Sequence, residues 1–554
     1  MEQEATTKLN PVESETSYDT IKATIGDFGR WQLKISLLMA MVKFPIAWFQ
    51  MSIVFLAPPV EFWCQKLPGS ENITDQEWKR LTLPSENQTS KQNGINQGFC
   101  VMKPTSNQSS LLSCPGYTYN ESVFTSTITS EWDLVCDRQN LADFSQVSLM
   151  FGILLGNIIF GILADQRGRK KILLICLVLQ SIFGIGASIS PHFWMFVLLR
   201  FCLALANGGT MVTSFVICME AVGGKWRTIV PILYQIPFGF GYSSLAGIAY
   251  FIRDWRDLHV AISVLSLPYV SFSWLVPESP RWLLAIGKHK EALRILKKAA
   301  KENNLKLFDI ANEMTNLSKQ GCTKQPKMSF KQLFSTKILI RRTYLLCINW
   351  SLAGISFYAF IQHIGHVSNN LFFTVAVGGF ISLPGTIICV FLVSNYGRRM
   401  TISYSYLLTA TCSLLILAFP KGVYVFDWPR VILAGIGIIG LSISIPAMYL
   451  FTGELYPTVM RNSGVGLAMM FSRLGSMIAP ILVSLQNVAS FLPLLIIGIL
   501  SILQAVLIYP LPETQAYILP NTVGDLELLE KRKQPNFPKK TYQLKPKCNE
   551  EYFY

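Results

Sequence analysis

An all-α membrane protein, with about twelve transmembrane helices in two six-helix pseudo-repeats, is the fold class this sequence predicts. Three observations carry it. The chain has 554 residues, 51% of them hydrophobic and only 15% charged. Apolar runs of roughly twenty residues recur along it, the length a helix needs to cross a bilayer. Short motifs that follow the second, fourth and sixth runs return after the eighth, tenth and twelfth. A mean hydropathy of +0.37 is too high for ordinary soluble domains. The formal charge of +15 would suit nucleic acid, but the Lys and Arg sit in short clusters between apolar runs. That placement fits loops on the inner leaflet, so a nucleic-acid partner is excluded.

Taken in order, residues 1–32 form a cytoplasmic tail, because the polar, acidic start from Met1 to Arg30 lacks the apolar core of a secretory signal. Residues 33–276 make the first half. Its first span, near 33–57, delivers the loop 58–143 to the outside, and further spans lie near 145–164, 172–190, 194–217, 229–251 and 258–276. A basic helical linker covers 277–342. The second half, 343–511, holds spans near 343–362, 371–394, 400–419, 430–452, 464–485 and 489–511, and 512–554 is a second cytoplasmic tail. Charge agrees with this orientation: 277–342 carries 15 Lys or Arg against 5 acids, whereas 58–143 carries 6 against 10. Within the linker, Arg281–Ala300 reads as one amphipathic helix with Leu283, Leu284, Ala292, Ile295, Leu296 and Ala299 on its apolar face. Such a helix lies on the inner headgroups or regulates the carrier.

Six of the 12 cysteines lie inside apolar runs and read as small hydrophobes. Cys64, Cys100, Cys114 and Cys136 instead share the long polar loop with the sequons at Asn72, Asn87, Asn107 and Asn120. Together they mark an oxidising, extracellular loop with glycans and two disulfides, for which three pairings are open. A zinc site is the competing reading, but no CxxC pair or His accompanies these cysteines. No metal or cofactor is expected.

The echoes between halves are specific. Asp165-Gln-Arg-Gly-Arg-Lys170 returns as Ser394-Asn-Tyr-Gly-Arg-Arg399; Glu220 and Arg227 return at the same spacing as Glu454 and Arg461; Pro277-Glu-Ser returns as Pro512-Glu-Thr. Each offset is about 230 residues, the mark of a duplication. The segment Gly161–Lys170 resembles the signature loop of the major facilitator superfamily. Within it, the glycosylated first loop, Ser130-Glu-Trp-Asp-Leu-Val-Cys136, Pro277-Glu-Ser-Pro-Arg-Trp282 and Thr452–Arg461 resemble the organic cation, anion and carnitine transporters among the solute carriers. The resemblance covers nearly the whole chain. It implies a plasma-membrane transporter of small organic ions, multi-pass with both termini cytoplasmic, that works by alternating access.

Two groups of functional residues follow. Asp165, Arg169 and Glu220 in one half, and Arg398 and Glu454 in the other, with Glu278, Arg281, Arg227 and Arg461, are expected to bridge the inner ends of the halves when the inner gate is shut and to part when it opens inward, as a bistable latch. Near the midplane, where such folds bind substrate, the reading finds two cations inside spans, Lys43 and Arg473, and no acid to neutralise them. By the resemblance, cation carriers have an acid where Arg473 falls and a Glu before the proline of Ser382-Leu-Pro384. Anion and carnitine members resemble this chain in having Arg. The same comparison places Tyr358, Gln235 and Phe238 on the pocket wall, while Gly208 and Met211 stand where cation carriers have Lys and Trp. A guanidinium forks onto a carboxylate, and an aromatic face takes an ammonium group. A carnitine-like zwitterion or an organic anion is therefore favoured over an organic cation. A membrane-embedded enzyme is disfavoured, since the five histidines form no HExxH and no GxSxG occurs. The large loop and Arg473 also disfavour a sugar carrier.

Overall fold

In the computed structural model, the described residues are 25–66, 73–82, 100–102, 112–224, 226–305, 334–367, 370–420, 423–424, 427–456 and 461–515. Among them, eight helices are long and apolar enough to cross a membrane, the first running Arg30–Leu56. Four further segments complete the two sets of six. They are the broken fifth span (Trp226–Leu233 and Ile236–Phe251), the broken sixth (Trp255–Ser266, Leu267–Ser271 and Phe272–Leu275), the ninth (Arg398–Ile416) and the twelfth (Leu492–Ile508). Span two is Asn140–Arg167, three Arg169–Ser188, four Phe193–Ala221, seven Lys337–Val367, eight Leu371–Tyr396, ten Trp428–Leu455 and eleven Arg461–Ser484.

The breaks have local causes. Span one is interrupted at Val42, one turn before Pro45, whose missing N–H removes a helical hydrogen bond. It is interrupted again at Ser52, whose hydroxyl donates to the Phe49 carbonyl at 3.1 Å. Span five carries Pro231 and Pro237, and the chain turns at Tyr234–Gln235 between them. Spans two and eleven pack together, as do five and eight, and these two pairs join the halves. Ser243 Oγ fastens the second pair by donating to the Ala376 carbonyl at 2.8 Å.

The loop adds strand to the expected all-helical plan. β1 (Phe62–Cys64) pairs antiparallel with β4 (Tyr117–Tyr119), and β2 (Val101–Met102) with β3 (Leu112–Ser113). Disulfides Cys64–Cys114 and Cys100–Cys136 select one of the three open pairings. The loop docks through Glu131, which accepts from Trp255 Nε1 at 2.7 Å and pairs with Arg256, while Trp132 packs on Phe193, Phe196 and Trp255. Asn72, Asn87 and Asn107 lie outside the described residues. Asn120 is described, its amide donating to Glu61 at 3.2 Å.

The linker corrects one expectation. Arg281–Ala300 is two helices, Pro280–Ala285 and His289–Glu302, separated by Gly287 at φ +80°. Leu283, Ala292, Leu296 and Ala299 are buried in one cluster with Trp31 and Ile35 of span one, so the apolar face is spent on the protein rather than on lipid. Asn303, just past the second helix, completes the joint. Its Oδ1 accepts the Trp31 N–H at 2.9 Å and its Nδ2 donates to the Ile25 carbonyl at 2.9 Å, capping a helix whose own N-cap, Gly29, has no side chain to offer.

Candidate functional site

At the centre, between the halves, buried polar groups converge. Arg473 lies halfway along span eleven and is 4% exposed. It is set there by Gly354 and Gly475, where a side chain on either would strike the backbone of the facing helix, so spans seven and eleven touch. Arg473 Nη1 donates to the Tyr358 hydroxyl at 2.5 Å, and Nη2 lies 3.1 Å from Met211 Sδ of span four. The Tyr358 hydroxyl donates in turn to Gln50 Oε1 at 2.9 Å, and Gln50 Nε2 donates to Asn207 Oδ1 at 3.2 Å. Thus one chain of hydrogen bonds crosses from the second half to the first. Lys43 sits beside it, 2% exposed, with its Nζ 4.7 Å from the Tyr234 ring centroid. Tyr234 in turn shares a hydrogen bond of 2.7 Å with Ser214.

No carboxylate among the described residues lies within ion-pair distance of Lys43 or Arg473. Arg473 Nε and Asn207 Nδ2 are buried with no hydrogen-bond partner. Such groups are costly to bury bare, so the centre is built to receive an acceptor, negative or polar. Phe215 of span four meets Tyr449 of span ten at 6.2 Å between centroids, and Phe238 meets Phe357 at 6.5 Å, walling the centre with rings from both halves. Gln235 is half-buried at the break of span five, its backbone N–H donating to Ile232 at 3.1 Å.

A third buried cation corrects the count of two. Arg200 of span four is 1% exposed and donates to Gln146 Oε1 at 3.0 Å, and Gln146 Nε2 donates to the Gln50 carbonyl at 3.2 Å. It falls inside the run near 194–217 and was legible as an intramembrane charge.

The end of the bundle that carries the linker, here the linker end, holds the charge motifs. Gly168, at φ +105°, turns span two into span three, and Glu278 accepts from the exposed backbone N–H groups of Arg169 and Lys170 at 3.0 and 3.2 Å. Gly397, at φ +87°, turns span eight into span nine, and Glu513 accepts from Arg398 and Arg399, both at 2.9 Å. Each carboxylate faces the positive end of a helix dipole. Arg169 pairs with Glu220 and, at 3.3 Å, with Asp165; Arg398 forks onto Glu454 with two bonds of 3.0 Å. Ser279 donates to Glu220 and Thr514 to Glu454, both at 2.5 Å. Trp282 Nε1 donates to the Asp165 carbonyl and Gln515 Nε2 to the Ser394 carbonyl, both at 2.7 Å.

In this structure the described charges form two networks, each closed within one half, and no ion pair among the described residues joins the halves at this end. The reason is geometric: spans three and four, like nine and ten, end side by side in the same half. Arg281 lies in the short helix Pro280–Ala285 beside the first network. The side chains of Arg227 and Arg461 fall outside the described residues.

The model of the Major Facilitator Superfamily matches residues 137–480 and 366–534. Solute carrier family 22 member 3 of Mus musculus is 32% identical over 545 residues, covering 93% of this chain and 96% of the relative. The chain belongs to solute carrier family 22. Other relatives in that range are the organic cation transporter protein of Drosophila melanogaster, 31% identical over 530 residues with 94% and 96% covered, and the organic cation/carnitine transporter 2 of Homo sapiens, 30% identical over 548 residues with 95% and 97% covered. As a member of solute carrier family 22 within this superfamily, the protein is a multi-pass membrane transporter, not an enzyme. The inward-open xylose transporter XylE from E. coli shares the fold with a TM-score of 0.59 at 17% identity, covering 90% of this chain and 99% of that one.

Within this solute carrier, sequence reasoning missed Gln50, Asn207 and Tyr234. Gln50 and Asn207 carry the signal of an amide inside an apolar run, which has to find a partner there. Tyr234 is the neighbour of Gln235 in the chain, and the proline-bounded turn brings its ring to Lys43.

Proposed function

We propose that this member of solute carrier family 22 moves small organic ions bearing a carboxylate, a carnitine-like zwitterion or an organic anion, across the plasma membrane by alternating access. The observation that carries the reading is the buried guanidinium of Arg473, held by Tyr358, with Nε unpartnered and no acid among the described residues in ion-pair range. Its planar fork suits a carboxylate. Lys43 adds a second positive field, and Tyr358, Phe238 and the neighbouring rings receive the organic body, with Gln235 at the turn below them. The linker-end networks hold spans two to four and eight to ten as rigid units, so that the halves rock as bodies, with Arg227 and Arg461 joining them. Residues 33–276 and 343–511 are these halves. The tails 1–32 and 512–554 and the linker 277–342 lie in the cytoplasm, and the sequons Asn72, Asn87, Asn107 and Asn120 carry glycans outside.

Transport of organic cations is the second reading, favoured by the names of the two relatives in fly, an organic cation transporter protein and an organic cation transporter-like protein. Uptake into proteoliposomes of labelled carnitine, an aryl carboxylate and a quaternary ammonium ion without a carboxylate separates the two. The first reading expects the carboxylates to enter and Arg473→Ala to stop them.

A further inference from the structure

At the loop end, away from the linker, the structure holds a cavity of ≈ 420 Å³ whose wall includes Glu61, Asp143, Gln146, Gln362, Ser484 and Gln486. Its chemistry is opposite to that of the centre. Two carboxylates line it and no Lys or Arg does. Glu61 is already engaged: Lys79 Nζ lies 3.1 Å from it, and this hydrogen bond holds the carboxyl below its ordinary range. Asp143 is in another position. Among the described residues no cation lies within ion-pair distance of it, and Ser484, also on the wall, spends its hydroxyl proton on the Ile481 carbonyl at 2.9 Å.

Gln362 supplies an independent sign. It is only 9% exposed, and its Nε2 is buried with no hydrogen-bond partner. A bare amide donor on the wall of a cavity that is otherwise largely apolar calls for an acceptor in that cavity. The volume is that of a small-molecule site rather than of a single metal ion. Gln146 forms part of the wall and its Nε2 donates to the Gln50 carbonyl at 3.2 Å, which ties this wall to the residue that also bonds Tyr358 at the centre.

We propose that the loop-end cavity is a second ligand site, for an organic ammonium ion carrying an oxygen acceptor a few bonds from its nitrogen. Asp143 takes the positive centre and Gln362 Nε2 donates to the oxygen. The site goes beyond the reading of Arg473 and stands whichever charge class the centre carries. Where the substrate is a zwitterion, the cavity receives its cationic end before the carboxylate reaches Arg473.

The test is equilibrium binding of labelled choline and labelled tetramethylammonium to the purified full chain. Choline, with its hydroxyl oxygen, is expected to bind about threefold or more tightly than tetramethylammonium, and Gln362→Leu to remove that preference. Asp143→Asn is expected to weaken both by about tenfold, while Arg473→Ala leaves both within about twofold. Choline binding that survives Asp143→Asn unchanged overturns the proposal. So does binding lost in Arg473→Ala, which would put the ammonium group at the centre. If Asp143→Asn fails to fold, Gln362→Glu decides: a third carboxylate on the wall is expected to raise tetramethylammonium affinity about tenfold, and an unchanged affinity counts against the site. Choline has no carboxylate, so its binding leaves the reading of Arg473 to the uptake panel.

Discussion

The linker end and the centre of this transporter treat the internal duplication differently. At the linker end the two halves carry the same parts in the same places. Glu278 and Glu513 cap spans three and nine, Arg169 and Arg398 hold Glu220 and Glu454, and Ser279 and Thr514 donate to those same acids. At the centre the halves keep a ring each at equivalent places, Phe215 and Tyr449, but differ in their polar groups. The first supplies Lys43, Gln50, Asn207 and Met211, the second Tyr358, Tyr449 and Arg473, and one hydrogen-bonded chain joins them. Duplicated side chains are kept where both halves do one mechanical job. They diverge where the two walls face different parts of one ligand.

Changes at the centre are expected to have the largest effect. Arg473→Ala removes one member of a buried charge pair with the substrate, so carboxylate uptake should fall by about 100-fold, equivalent to about 3 kcal/mol. Arg473→Lys keeps the charge but loses the fork, and about a tenfold fall is expected in the same assay. Tyr358→Phe breaks the link between Gln50 and Arg473 and should raise the half-saturating substrate concentration by about five- to tenfold, with protein yield unchanged.

Changes at the linker end should come in matched pairs. Glu220→Gln and Glu454→Gln each remove one salt bridge from an equivalent network, so each is expected to slow uptake by about three- to tenfold and to raise labelling of cysteines placed at that end. A large effect in one half with none in the other would break the symmetry of the comparison. The smallest effect belongs to the joint between linker and span one. Asn303→Ala leaves the Trp31 N–H without its cap and should lower stability by about 1 kcal/mol, read as an earlier thermal unfolding of the purified protein, with substrate affinity unaltered.

The sequence made the linker end legible because a duplication repeats its motifs at fixed spacing, and the charges those motifs carry, Arg169 and Glu220 in one half and Arg398 and Glu454 in the other, meet there in ion pairs. It did not show that each network closes within its half, because motif spacing along a chain carries no information on which helix ends lie side by side. Arg473 and Lys43 were visible as charges in apolar runs, and Tyr358 through the resemblance. Gln50, Asn207 and Arg200 were not picked out. Their partners lie on other spans, as when Gln50 meets Asn207 and Tyr358, and no local pattern records such contacts. The two linker helices were read as one because Gly287 interrupts an apolar periodicity that continues across it.

The central claim is that Arg473 selects a carboxylate, and uptake by the Arg473→Asp variant, measured beside the parent with carnitine and a quaternary ammonium ion lacking a carboxylate, tests it most directly. The account predicts that the parent accumulates carnitine in preference to the plain ammonium ion, and that Arg473→Asp loses carnitine uptake while gaining uptake of the ammonium ion. A parent that carries the plain ammonium ion in preference to carnitine, together with an Arg473→Ala variant that carries it equally well, would contradict the account and make Arg473 a structural residue.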